Sequence, residues 1–172
     1  EIEAEIVTLV RSTVSNTLQA TGAVAGEGIN VMPDVLKGAI AATEEVGTGL
    51  TLSAKSVAKG VVMGVSDVGG DILAVAGMTV RSAVKGAAEV GGDVAVVARR
   101  AADGVLEATK EIGGNVEEVA KVVVIGAVEA AGAIGTTAIR TVREMMLGVV
   151  GGVKDVAGAA LPKAQTGAPE VS

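Results

Sequence analysis

Acidic side chains are almost the only groups in this chain whose chemistry could be catalytic. Glu44-Glu45 and Glu117-Glu118 are adjacent carboxylate pairs, the type of group that serves general acid–base catalysis. Neighbouring residues on a helix point to different parts of its surface, so these pairs read as solvated rather than as one site. Gly69-Gly70-Asp71 and Gly113-Gly114-Asn115 suggest phosphate loops, but neither has the Gly-Lys-Ser/Thr ending that holds phosphate and magnesium. The chain has no His and no Cys, which removes the usual base, the thiol nucleophile and most metal ligands. The sequence therefore predicts no catalytic residue, no cofactor and no metal.

The elements behind these residues are repeats. Gly38, Gly60, Gly104, Gly126 and Gly148 share one place in a 22-residue unit, with Ser82 completing the series. Val46, Val68, Val90, Ile112, Ile134 and Val156 form a parallel column at the same spacing. Counting each unit from the first column, apolar and small residues fill positions 2, 5, 6, 9, 13, 16, 17 and 20. Twenty-two is twice eleven, and eleven residues make three turns of an α-helix. Apolar steps of three and four specify a helix, and the alternation a strand would need does not persist.

The predicted fold is all-α: a long, nearly continuous amphipathic helix packed against other copies, about 185 Å over 38–160 at 1.5 Å per residue. The alternative is a back-and-forth array of roughly 19-residue helices turning at the Gly-Gly pairs. Gly followed by Asp or Asn is a stop-and-restart signal. The continuous form is preferred because acids such as Asp67 and Glu89 would otherwise end helices, against the helix dipole. Residues 1–37 form an N-terminal helix and a degraded repeat broken by Pro33, 38–160 the repeat region, and 161–172 a tail. The N-terminal helix is apolar at Ile2, Ile6, Leu9, Val10 and Val14 and is expected to act as a terminal contact between subunits.

Composition limits what such a chain can bind. With no Phe, Trp or Tyr, and with Val and Ala dominating the apolar residues, burial per residue is low and a lone monomer marginal. A formal charge of −6 disfavours nucleic acid. The expected partners are copies of the chain itself. Small-xxx-small pairs such as Gly60 with Gly64, together with Gly126 and Gly148, are predicted helix-packing surfaces. Val46, Gly47, Val68, Gly69, Val90, Gly91, Ile112, Gly113, Ile134 and Gly135 are predicted to edge the same face and form a groove. Charge falls in bands: acids at Asp67, Asp71, Glu89 and Asp93, bases at Lys55, Lys59, Arg99, Lys121 and Arg143. These bands are expected to set the stagger between neighbouring helices.

At Ala108-Thr109-Lys110-Glu111-Ile112-Gly113 the unit resembles the Lys-Thr-Lys-Glu-Gly-Val repeat of synucleins. Its Val, Gly and Thr-rich surroundings are similar to the 11-residue repeats of perilipins and some desiccation proteins. That resemblance implies an amphipathic helix that coats lipid. With 20 acids to 14 bases, the implied surface is neutral and droplet-like rather than an anionic membrane. Two functions follow as expectations: a non-enzymatic structural protein assembling into a filament, sheath or bundle, and, as the alternative, a coat on droplets, granules or membranes. The opening at Glu1, without Met, leads us to expect a processed product outside the cell or at its surface, with a cytoplasmic place as the alternative.

Overall fold

The computed structural model describes residues 2–20, 50–89 and 91–160. Among these residues the chain is all-helical: α1 (Ile2–Ala20), α2 (Leu50–Asp67), α3 (Ile72–Glu89), α4 (Val94–Ile112), α5 (Val116–Ile134) and α6 (Thr136–Ala160). Val46 and Gly47, Val90, the break at Pro33 and the 161–172 tail all lie outside the described residues.

The unbroken helix is corrected here, because each unit ends its own helix. Gly69, Gly91 and Gly113 take φ of +74°, +75° and +79°, a left-handed conformation that costs glycine little and other residues more. One residue later the Gly70 N–H donates to the Val65 carbonyl at 2.9 Å. Gly92 to Ala87 (2.8 Å) and Gly114 to Thr109 (2.9 Å) repeat that six-residue closure. The following polar residue then starts the next helix. Asp71 accepts from the Ala74 N–H and Asp93 from the Val96 N–H, both at 3.2 Å, and Asn115 accepts from the Glu118 N–H at 3.1 Å. Such a cap contributes about 1 kcal/mol. The acids in the last turns did not forbid these ends, because a surface dipole contributes only about 0.3–1 kcal/mol and two of them, Asp67 and Glu111, have cationic partners on other helices.

Up to α5 the helices pack mainly with the element two along in the repeat rather than with the next one, whereas α6 packs more on α5 than on α4. The most extensive contacts are α2 with α4, α1 with α2, and α3 with α5; α4 also packs on α6. The pairs run parallel, since contacts advance together along both helices: Lys55 to Glu107 then Lys59 to Glu111, Gly77 to Gly126 then Arg81 to Glu129. One layer therefore holds α1, α2, α4 and α6, and the other holds α3 and α5. Short turns join the layers, and α4 touches four other helices.

Val and Ala fill the space between. Val61, Val75, Val97, Val105, Val123 and Ala127 are fully buried. Burial extends beyond the expected arc to positions 3 and 21, where Val62, Val84, Val80 and Ala102 are also 0% exposed. A helix flanked on both sides within its layer, and backed by the other layer, needs a wider apolar arc than one lying on a surface. The apolar columns are thus covered within one chain.

Thr79 is the polar exception. It is 1% exposed and its hydroxyl has no hydrogen-bond partner. Val57 and Val123 stand in the same repeat position and are buried without difficulty. Thr79→Val should therefore raise stability by about 1 kcal/mol, by relieving the desolvated hydroxyl. A chemical denaturation midpoint that moves down would refute this.

Candidate interaction surface

Three glycines of the first column lie where two helices cross. A Cβ on Gly60 would stand 2.8 Å from Val10 Cβ and 2.9 Å from the Val7 carbonyl oxygen of α1. On Gly126 it would stand 2.8 Å from the Gly77 carbonyl oxygen of α3, and on Gly104 it would collide with the Lys55 carbonyl of α2. Gly64 meets the Arg11 carbonyl oxygen at 2.8 Å in the same way. Gly148 is more lenient, because its neighbour at 2.7 Å is the mobile end of the Arg99 side chain. Gly104 with Lys55, Gly126 with Gly77 and Gly148 with Arg99 are each 49 residues apart, so one crossing recurs down the array. The expected packing glycines of this column meet helices of their own chain.

The second set needs correction. Gly69, Gly91, Gly113 and Gly135 line no groove; they sit in turns, and a Cβ on any of them would meet nothing within 4 Å. Gly135 is an extended turn residue at φ +156°. Their β-branched neighbours lie at helix ends: Val68 and Ile112 are half-buried, and Ile134 is 42% exposed.

The charges divide by task. Asp71 and Asp93 cap helices, as described above, and do not form an inter-helix band. Glu89 is exposed at the end of α3. Arg99 pairs with Asp103 of its own helix at 3.3 Å. The remaining pairs cross between helices: Arg11 with Asp67 (2.7 Å), Lys55 with Glu107 (2.7 Å), Lys59 with Glu107 (3.3 Å) and Glu111 (2.6 Å), and Arg81 with Glu129 (2.8 Å). In every case the base belongs to the earlier helix and the acid to the later one. In these pairs of the repeat helices the forward bases stand at positions 18 and 22 and the rear acids at positions 4 and 8. Lys121 and Arg143 hold position 18 on α5 and α6 and are exposed, with no ion pair among the described residues.

These pairs move the titrations. Arg11, hydrogen-bonded to it, holds the Asp67 carboxyl below the usual range. At Glu107 partial burial works to raise the carboxyl, but Lys55 and then Lys59 together outweigh it and the net direction is down. The hydrogen bond to Glu111 holds the Lys59 ammonium above the lysine range. A lowered carboxyl stabilises the fold at pH values above its unfolded pKa, about 4, and that share is lost as pH falls through the lower folded value. A raised lysine acts in the opposite sense and loses its share only in strong alkali. Both carboxylates are about a third or more exposed, so each pair contributes only ~0.5 kcal/mol after solvent screening. The melting temperature should be level from pH 5 to 9 and decline below about pH 4. Asp67→Asn with Glu107→Gln should shorten that decline, and an acid limb identical to wild type would contradict the assignment.

The last two helices end these columns in another way. Position 22 carries Lys59 in α2 and Arg81 in α3, both ion-paired to the helix two along, and Asp103 in α4, which pairs with Arg99 of its own helix. In α5 and α6 it carries Ile125, 55% exposed, and Leu147, 67% exposed. Position 3 is closed in Val62 and Val84 but half-open in Val128 and Val150. Sequence reasoning missed Ile125 and Leu147. The signal was present as a charged column, Lys59, Arg81 and Asp103, that becomes apolar at its end.

Among the described residues no group of three or more His, Cys, Asp or Glu could hold a metal, and no helix is long and apolar enough to cross a membrane. Glu117 and Glu118 are exposed in the first turn of α5. No protein family, curated protein or solved structure matches the chain.

Proposed function

We propose that this chain is a non-enzymatic structural protein that associates with copies of itself into a filament or sheath, through the edge of its helical array. The observation that carries this reading is the exposed forward side of α5 and α6. Repeat arrays that end as monomers close their last helix with a polar outer face. Here Ile125 and Leu147 replace the charged residues of the earlier units, Lys59, Arg81 and Asp103, and stand open to solvent. The Val/Ala/Gly faces then serve as the interior of each subunit, and the contact between subunits lies at the array's ends. A coat on a lipid surface would instead require the array to unpack, because its Val and Ala columns already cover one another. Sedimentation velocity and negative-stain microscopy over a range of concentrations, without lipid, test the proposal. Helical particles growing into regular polymers are expected. A monomer at every concentration that gains helix only with vesicles would favour the coating role.

A further inference from the structure

From the direction of the charges and columns, we infer that the copies join head to tail, with the forward side of α6 seated on the rear side of α1 of a second copy. This deepens the self-association proposed above and rests on it. Helices α1, α2, α4 and α6 are parallel members of one layer, so a second copy's α1 placed after α6 continues that layer without reversal. The forward side of α6 presents Arg143, Leu147 and Val150, in the repeat positions of Lys55, Lys59 and Val62 of α2, where the two lysines pair with α4 and Val62 is buried. The rear side of α1, opposite the Val7, Val10 and Val14 stripe that meets α2, presents Glu5, Leu9, Ser12 and Asn16. Leu9 is 64% exposed, and with Ala4, Glu5, Thr8 and Ser12 it lines a shallow depression.

Complementarity fixes the polarity. Each inter-helix ion pair within the chain joins a base of the earlier helix to an acid of the later one, and Arg143 of α6 facing Glu5 of α1 keeps that order of charge, with Glu5 at position 12 rather than 4 or 8. Forward against forward would oppose Arg143 to Arg143, and like charges disfavour it. The small residues beside Leu9 leave room for Leu147, as the interior glycines leave room for the helices they meet. Because the joined surfaces are different, the contact leaves one surface free at each end, and successive copies extend as a filament wherever the rotation between them does not close a ring.

The experiment uses Leu9→Asp and Leu147→Asp, each at a side chain largely in water, with circular dichroism confirming that both variants remain helical. Each should lose self-association by about tenfold or more, the scale of one buried leucine. Mixed in equal amounts, the two variants retain one intact surface each and should form one-to-one dimers that grow no further. An assembling wild type whose variants stay monomeric in the mixture, or whose variants assemble unchanged, would overturn the head-to-tail contact and leave self-association standing. A monomeric wild type would remove both.

Discussion

Gly104→Ala should destabilise the protein by about 2 kcal/mol, although alanine is the better helix former by about 1 kcal/mol. The added methyl would fall on the Lys55 carbonyl of α2, which is backbone inside a helix and has no rotamer to change. Relief requires the α2 and α4 axes to separate, and that opens space around Val62, Val105 and Ala101, all 0% exposed. Overpacking of this type costs about 1–3 kcal/mol, more than the propensity gain. Gly132→Ala is the control. It lies within α5, is exposed, and its added carbon would meet only the Ile139 Cδ1 at 3.9 Å, an ordinary contact. That substitution should stabilise by about 0.5–1 kcal/mol, through propensity alone. Equilibrium unfolding of both variants is decisive: two shifts of the same sign would mean that the glycine column has no packing role.

The 22-residue unit, its helical character and the apolar arc were legible because periodicity needs only one sequence. The turns were legible too, as Gly-Gly followed by Asp or Asn, but they were outweighed by the last-turn acids. Asp67 and Glu111 explain why that weighting misled: their partners Arg11 and Lys59 lie 56 and 52 residues earlier. A single-sequence dipole argument cannot see such partners. Positions 3 and 21 were missed for a related reason, since an arc that wide makes sense only with neighbours on three sides. The open forward side of α6 required knowing which helix follows which in space.

A second signal was readable and went unread: some buried columns alternate with a period of 44. Position 2 holds Val61, Val105 and Val149 in one layer but Ala83 and Ala127 in the other. Position 21 reverses this over four units, with Ala58 and Ala102 against Val80 and Val124, before the buried Met146 of α6 departs from it. A single straight helix gives no reason for alternate units to differ in size. Two layers do, because a large column on one side requires a small one opposite if the interior is to reach close packing.

That alternation predicts that Val is acceptable at position 2 only in its own layer. Ala127→Val adds two methyl groups at a site that is 0% exposed, and it should cost about 1–3 kcal/mol by overpacking. Val105→Ala, one unit earlier and also 0% exposed, removes two methyl groups. It should cost about 2 kcal/mol, from roughly 0.8 kcal/mol for each buried methylene-sized group plus the cavity left behind. Were the unit a strict 22-residue repeat, each substitution would copy a residue already accepted in the neighbouring unit, and both would be close to neutral. Denaturant midpoints measured for the two variants decide between these cases. Losses in both would mean that the layers are distinct and that size, not hydrophobicity alone, selects the partner; a neutral Ala127→Val would mean that the interior is loose enough to take either residue and that the layers are interchangeable.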